Sequence, residues 1–151
     1  MYFLTAVLPL FAALAPVFSA PLTESPFMGT IATPASNTPL SANTAFPFGY
    51  NVDNWCEEGY NNFKVFLTET APTIDDVDST GDIQNALYSF GQFTVANFGL
   101  PPSGTPPPSS LVVPDIGAEG PGFLAVVQIF TSCPGDVTQE IGIASVLVSM
   151  Q

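Results

Sequence analysis

The chain has 151 residues with 13 acidic side chains, one lysine (Lys64), no arginine and no histidine, for a formal net charge of −12. Such a surface cannot neutralise phosphates, which excludes nucleic acid and anionic membranes as partners. Without histidine there is no Ser-His or Cys-His couple and no histidine metal ligand, so carboxylates are the main acid–base groups left.

The N-terminal stretch "MYFLTAVLPLFAALAPVFSA" has no charged side chain. Its apolar run from Leu4 to Val17 is broken by Pro9 and Pro16. A membrane span needs ~20 apolar residues, so this run is too short, but it has the length of a secretory h-region. The n-region carries no Lys or Arg, so the terminal amine supplies its positive charge. Val17 and Ser19 suit the −3 and −1 places of a signal-peptidase site. We therefore expect a signal peptide over 1–19, cleavage before Ala20, and a secreted, extracellular protein with no membrane attachment in its mature form. Segment 20–151 has the size of one domain. It contains no Asn-x-Ser/Thr sequon and no spacer-plus-tail signal for a glycosylphosphatidylinositol anchor.

Along this segment, short period-2 runs replace helical periodicity. "MGTIAT" (Met28 to Thr33) reads as a first strand, and "PASNTPLSANTA" (Pro34 to Ala45) as a long turn. "FPFGYNV" puts Phe46, Phe48, Tyr50 and Val52 on one face of a strand, with Pro47 marking an edge or a start. "NFKVFLTE" sets Phe63, Val65 and Leu67 against Lys64, Phe66 and Thr68. "ALYSFGQFTVANF" (Ala86 to Phe98) is a longer strand whose apolar face switches at Gly91, as at a bulge. "LPPSGTPPPSS" (Leu100 to Ser110) carries five prolines and reads as an extended, semi-rigid connection. "SSLVVPD" is a short strand stopped by Pro114. "GFLAVVQIFTS" is apolar almost throughout, as a central strand covered on both faces would be. "QEIGIASVLVSM" is the last strand. These elements leave no room for crossover helices, and they predict an all-β, immunoglobulin-like antiparallel β-sandwich of about seven strands.

The two cysteines, Cys56 in "NWCEEGY" and Cys133 in "FTSCPGD", each follow a predicted strand. In an exported chain they read as one disulfide. Closing a loop of about 77 residues corresponds to ~4 kcal/mol in the chain-entropy model. A reactive thiol would need a neighbouring base or positive charge, whereas Glu57 and Glu58 oppose thiolate formation. Trp55 adjoins the first cysteine, so the antibody arrangement of cysteines and tryptophan is missing. Tyr50, Trp55 and Tyr60 cluster near Cys56 in sequence. Exposed, such rings beside carboxylates would suit a sugar; buried, Trp55 would close the end of the core against the disulfide.

"DDVDSTGDIQNAL" (Asp75 to Leu87) follows the first half of an EF-hand calcium loop, with oxygens at Asp76, Asp78, Thr80 and Asp82 around the Gly81 turn. The twelfth position is Leu87 in place of the bidentate Glu, and the flanks read as strands or loop. This predicts at most a weak calcium site, the alternative being a solvated acidic turn. Glu57 and Glu58 are adjacent acids, as in an exposed turn, and no catalytic residue is assigned.

The layout resembles that of small secreted proteins of filamentous fungi, in particular the necrosis-inducing effector family related to Nis proteins. The features that carry the resemblance are the signal peptide, a G-x-I-x-x-P segment (Gly29, Ile31, Pro34), "SFGQF" (Ser89 to Phe93), and "FLAVVQIF" (Phe123 to Phe130) with its closing strand. The resemblance implies a non-enzymatic secreted β-sandwich that engages host proteins outside the cell. The residues alone admit two functions: an interaction protein that binds a positively charged extracellular protein or glycan, and a carbohydrate-binding or carboxylate-based carbohydrate-processing module.

Overall fold

The structure, a computed structural model, describes residues 22–131 and 139–151. The expected signal peptide and Cys133 lie outside them. The chain is all-β. Its strands are β1 (Thr23–Glu24), β2 (Thr30–Thr33), β3 (Thr38–Leu40), β4 (Ala45–Pro47), β5 (Gly49–Asn51), β6 (Tyr60–Thr68), β7 (Tyr88–Ala96), β8 (Ser110–Val112), β9 (Gly120–Phe130) and β10 (Glu140–Met150). A single 3-10 turn, Ile74–Asp76, interrupts the connection between β6 and β7.

The principal sheet has the order β1-β10-β9-β6-β7, with β3 also on β10. β10, β9, β6 and β7 are antiparallel neighbours. β1 and β3 run parallel to β10, one beside Glu140 and Ile141, the other beside Val148 to Met150. The sheet is therefore mixed, where a purely antiparallel one was expected. The two short parallel strands lie along the outer edge of β10 and occupy backbone groups that an open edge would offer to another chain. Two-stranded ribbons, β2 with β5 and β4 with β8, complete the pairing.

The strand count among the described residues exceeds the expected seven or so for physical reasons. β1 and β3 are too short to display a period, and β3 lies inside the segment read as a turn. The run Phe46 to Val52 is two strands with different partners: β4 faces β8 and β5 faces β2. Between them, the Phe48 N–H donates to the Ser109 carbonyl at 3.0 Å. The bulge at Gly91 is present. Register passes from Val65 opposite Gly91 to Phe66 opposite Ser89, leaving Phe90 over, and Gly91 takes φ +103°, a conformation costly to a side-chain-bearing residue.

Period 2 sorts the core into two faces. Phe63, Val65 and Leu67 of β6, with Leu124 and Val126 of β9, pack against Phe46, Phe48, Tyr50 and Leu111 from the two ribbons. The opposite face carries Phe66, Ala125, Val127 and Ile141, covered by Val77 and Ile83 of the acidic connection and by Leu22. β9 is thus buried on both faces, as its apolar sequence predicts. Each large apolar side chain removed from water contributes ~1.5–3 kcal/mol, so the acidic connection is held in place by what lies beneath it.

Candidate functional site

Tyr50 is an interior residue. It is 8% exposed and its ring lies 4.9 Å from that of Phe63. Its hydroxyl donates to Gln128 Oε1 at 3.0 Å. Gln128, fully buried on β9, also accepts from the Asp53 N–H at 3.2 Å and donates to the Asp53 carbonyl. Burial pushes the Tyr50 phenol well above its ordinary pKa. The group pins the chain after β5 to the central strand and presents no ring to solvent.

Trp55 closes one end of the core. Its ring is 4.9 Å from Phe27 and 6.2 Å from Phe130, and it packs beside the buried Cys56. Tyr60, at the start of β6, donates its hydroxyl to the Pro101 carbonyl at 3.1 Å, tying the proline-rich connection to the sheet. The three rings expected to share a binding face therefore have separate neighbours. Packing follows the period of the strand, not nearness in sequence.

The segment joining β5 to β6 is organised by polar groups. Asn54 accepts from the Glu58 N–H through Oδ1 at 2.8 Å and from the Glu57 N–H through its carbonyl at 3.0 Å. The buried Glu58 carboxylate accepts from Asn61 Nδ2 (3.2 Å) and from the Thr131 N–H (2.6 Å) and hydroxyl (3.0 Å). Glu57 is exposed, with φ +53°. The adjacent acids thus occupy different environments, one solvated and one bonded inside.

A site absent from the sequence reading adjoins this network. Asn97 donates through Nδ2 to the Glu58 carbonyl (2.8 Å) and Asn61 Oδ1 (2.6 Å), and through its N–H to the Gly59 carbonyl (2.9 Å). Leu100 N–H returns to the Asn97 carbonyl at 2.9 Å, closing a turn whose central residues, Phe98 and Gly99, have φ +55° and +73°. Left-handed backbone at both central positions is the type I′ pattern, which favours Asn and Gly. Phe98 instead carries a bulky side chain there at a cost of about 1 kcal/mol. It is 72% exposed, the most exposed large hydrophobic among the described residues, and Leu100 beside it is 41% exposed. The signal was legible as Asn-Phe-Gly directly after a strand.

Of the expected calcium-loop residues, Asp78, Thr80 and Asp82 are brought together by hydrogen bonds, whereas Asp76 is not. Asp76 turns toward Thr73, accepting from its N–H (2.8 Å) and hydroxyl (2.9 Å). Asp78 Oδ1 accepts from the Thr80 hydroxyl (2.6 Å) and N–H (2.8 Å) and from the Asp82 N–H (3.0 Å). Thr80 can also donate to Asp82 Oδ2 at 2.8 Å, and Asp82 Oδ1 lies 2.8 Å from Lys64 Nζ. The positive charge beside this loop is the lysine of β6. Among the described residues no group of three or more His, Cys, Asp or Glu side chains is arranged to hold a metal ion. Hydrogen bonds from Thr73 hold the Asp76 carboxyl below the usual range. Those from Thr80 do so for Asp78, and the Lys64 ammonium does so for Asp82. Val77 and Ile83 bridge across the loop and face inward. The acidic turn is a clasp over the second core face.

Compared with family models, curated proteins and solved structures, the chain matches none.

Proposed function

We propose that the protein is an exported, effector-like binding protein without catalytic activity, and that its β-sandwich presents loops to an extracellular partner bearing positive charge. The observation that carries this reading is the charge distribution. The sole basic side chain, Lys64, is paired to Asp82, leaving an uncompensated acid excess. Acidic surfaces select and steer cationic partners. The buried carboxylate of Glu58 is engaged by Asn61 and Thr131, which suits a structural role.

The immunoglobulin-like form of the sandwich is part of the proposal. The order β10-β9-β6-β7 supports this reading as a counterpart of the G-F-C-C′ sheet of a variable-type domain, and the pairing of β2 with β5 and of β8 with β4 supports assigning β2 and β8 the parts of strands A and E beside B. A Cys56–Cys133 disulfide would then join the chain segment that follows β5 to the one that follows β9 in sequence. Cys56 packs against Phe130, three residues before Cys133 in sequence, which supports that pairing.

The test is binding of the purified protein to a panel of cationic and neutral extracellular proteins, alongside pull-down on insoluble chitin, cellulose and β-glucan. Binding confined to cationic proteins and weakened by salt is expected. Salt-independent retention on a polysaccharide, or sugar turnover abolished by a single Asp or Glu substitution, would establish the carbohydrate reading instead.

A further inference from the structure

We infer that the Asn97–Leu100 turn is the docking tip of the molecule, with Phe98 as an anchor that inserts into an apolar pocket of a protein partner whose rim carries Lys or Arg. The inference rests on the binding function proposed above and locates it. Exposed apolar residues are common on any surface, and Leu100 or Val112 alone would mean nothing. Phe98 differs because its backbone is left-handed, where glycine or asparagine would be cheaper, and the residue stays 72% exposed, so the ring gains little burial. Folding gives no reason to keep a phenylalanine there.

The tip is also held rigid from below. Asn97 is fixed by three hydrogen bonds to Gly59, Glu58 and Asn61, so little order remains to be imposed when a partner binds. Exposed, aromatic and pre-organised, Phe98 has the character of a binding hot spot. The same carbonyls belong to the segment that displays Glu57, also exposed and also in left-handed backbone. An aromatic anchor and a carboxylate are thus presented from one braced pole. This pairing, with the net charge of −12, selects the occupant. A second copy of this chain would bring a like charge, and an anionic bilayer would repel it, whereas a cationic rim around an apolar pocket satisfies both side chains.

The experiment selects a phage-displayed random peptide library on immobilised wild-type protein, then measures the enriched peptides on wild type, Phe98→Gly and a Val112→Thr control. Phosphatidylcholine vesicles serve as a second probe. Peptides combining apolar residues with Lys or Arg should be enriched. They should bind Phe98→Gly about thirtyfold more weakly and the control unchanged. Phe98→Gly should melt at or above the wild-type temperature, since glycine relieves the backbone. Equal binding to wild type and Phe98→Gly would overturn the tip while leaving the binding function standing. A lower melting temperature for Phe98→Gly would show that the ring serves folding, and vesicle binding that depends on Phe98 would show that the partner is a bilayer; either overturns the proposal. Failure to enrich any peptide also overturns the tip, and it overturns the parent reading only when cationic proteins fail to bind as well.

Discussion

Tyr50 shows how one side chain can carry two contradictory signals. Its place in the alternation of Phe46, Phe48 and Tyr50 assigns it to the core, while its nearness to Trp55 assigns it to a surface cluster. Burial and the bond to Gln128 decide for the core. Tyr50→Phe should lower stability by about 1 kcal/mol in denaturant unfolding, because it removes a buried hydrogen bond but leaves Gln128 a second donor in the Asp53 N–H. The raised phenol pKa fixes the sign of the alkaline response. The contribution is complete below the tyrosine's ordinary pKa and is lost as pH rises through the folded-state value. Melting temperature should therefore fall above about pH 10, less steeply in Tyr50→Phe than in wild type. Phe98 gave the opposite difficulty. An apolar residue ending a strand pattern reads as strand, and only the following Gly99 hints at a turn that exposes it.

Among the elements, those with long, regular alternation were legible. β6 and β10 appear near their expected bounds because period 2 over nine to eleven residues has one physical solution, a strand with sorted faces, and β9 does so because its unbroken apolar run reads as a central strand covered on both faces. The strand read across Phe46 to Val52 failed at Phe48 because alternation does not record which partner each half pairs with. The acidic connection was read by its charges, whereas Val77 and Ile83 determine its placement. Asp78 closes it in the manner of a cap, so Asp78→Ala should cost about 1 kcal/mol and speed amide exchange around Val77 and Ile83. The pH sign follows from the lowered pKa values of Asp78 and Asp82. Their contribution is present above the ordinary carboxylate pKa and is lost as pH falls through the lower folded-state values. Acid unfolding should begin at a higher pH in Asp78→Ala than in wild type.

At the scale of the whole molecule, charge sets two opposed responses to salt. A net charge of −12 repels itself in the compact state, so added sodium chloride should raise the melting temperature. The same screening should weaken attachment to a cationic partner. Stability and binding, followed together across one salt series by calorimetry and surface capture, should move in opposite directions. A binding interface made only of apolar contacts would leave affinity flat while stability rises. The edges of the principal sheet bear on solubility as well. β1 and β3 line β10, while the Thr94 N–H of β7 donates to the Thr105 carbonyl at 2.8 Å, which brings the proline-rich connection against the far edge. Replacing Pro106, Pro107 and Pro108 with serine should loosen this cover and promote concentration-dependent association, measurable by light scattering.

The seat of Trp55 gives the molecule a built-in optical reporter. It is the only indole in the chain, and it stands between Phe27 and Phe130 with Cys56 alongside. Its emission therefore reads one pole, while the tyrosine circular-dichroism bands read the rest. A disulfide packed beside an indole accepts an electron from its excited state and quenches it more strongly than a thiol, so reducing the proposed bridge should brighten the fluorescence before any strand is lost. The order of the two signals during unfolding would show whether the N-terminal segment at Phe27 detaches first or leaves together with the sheet.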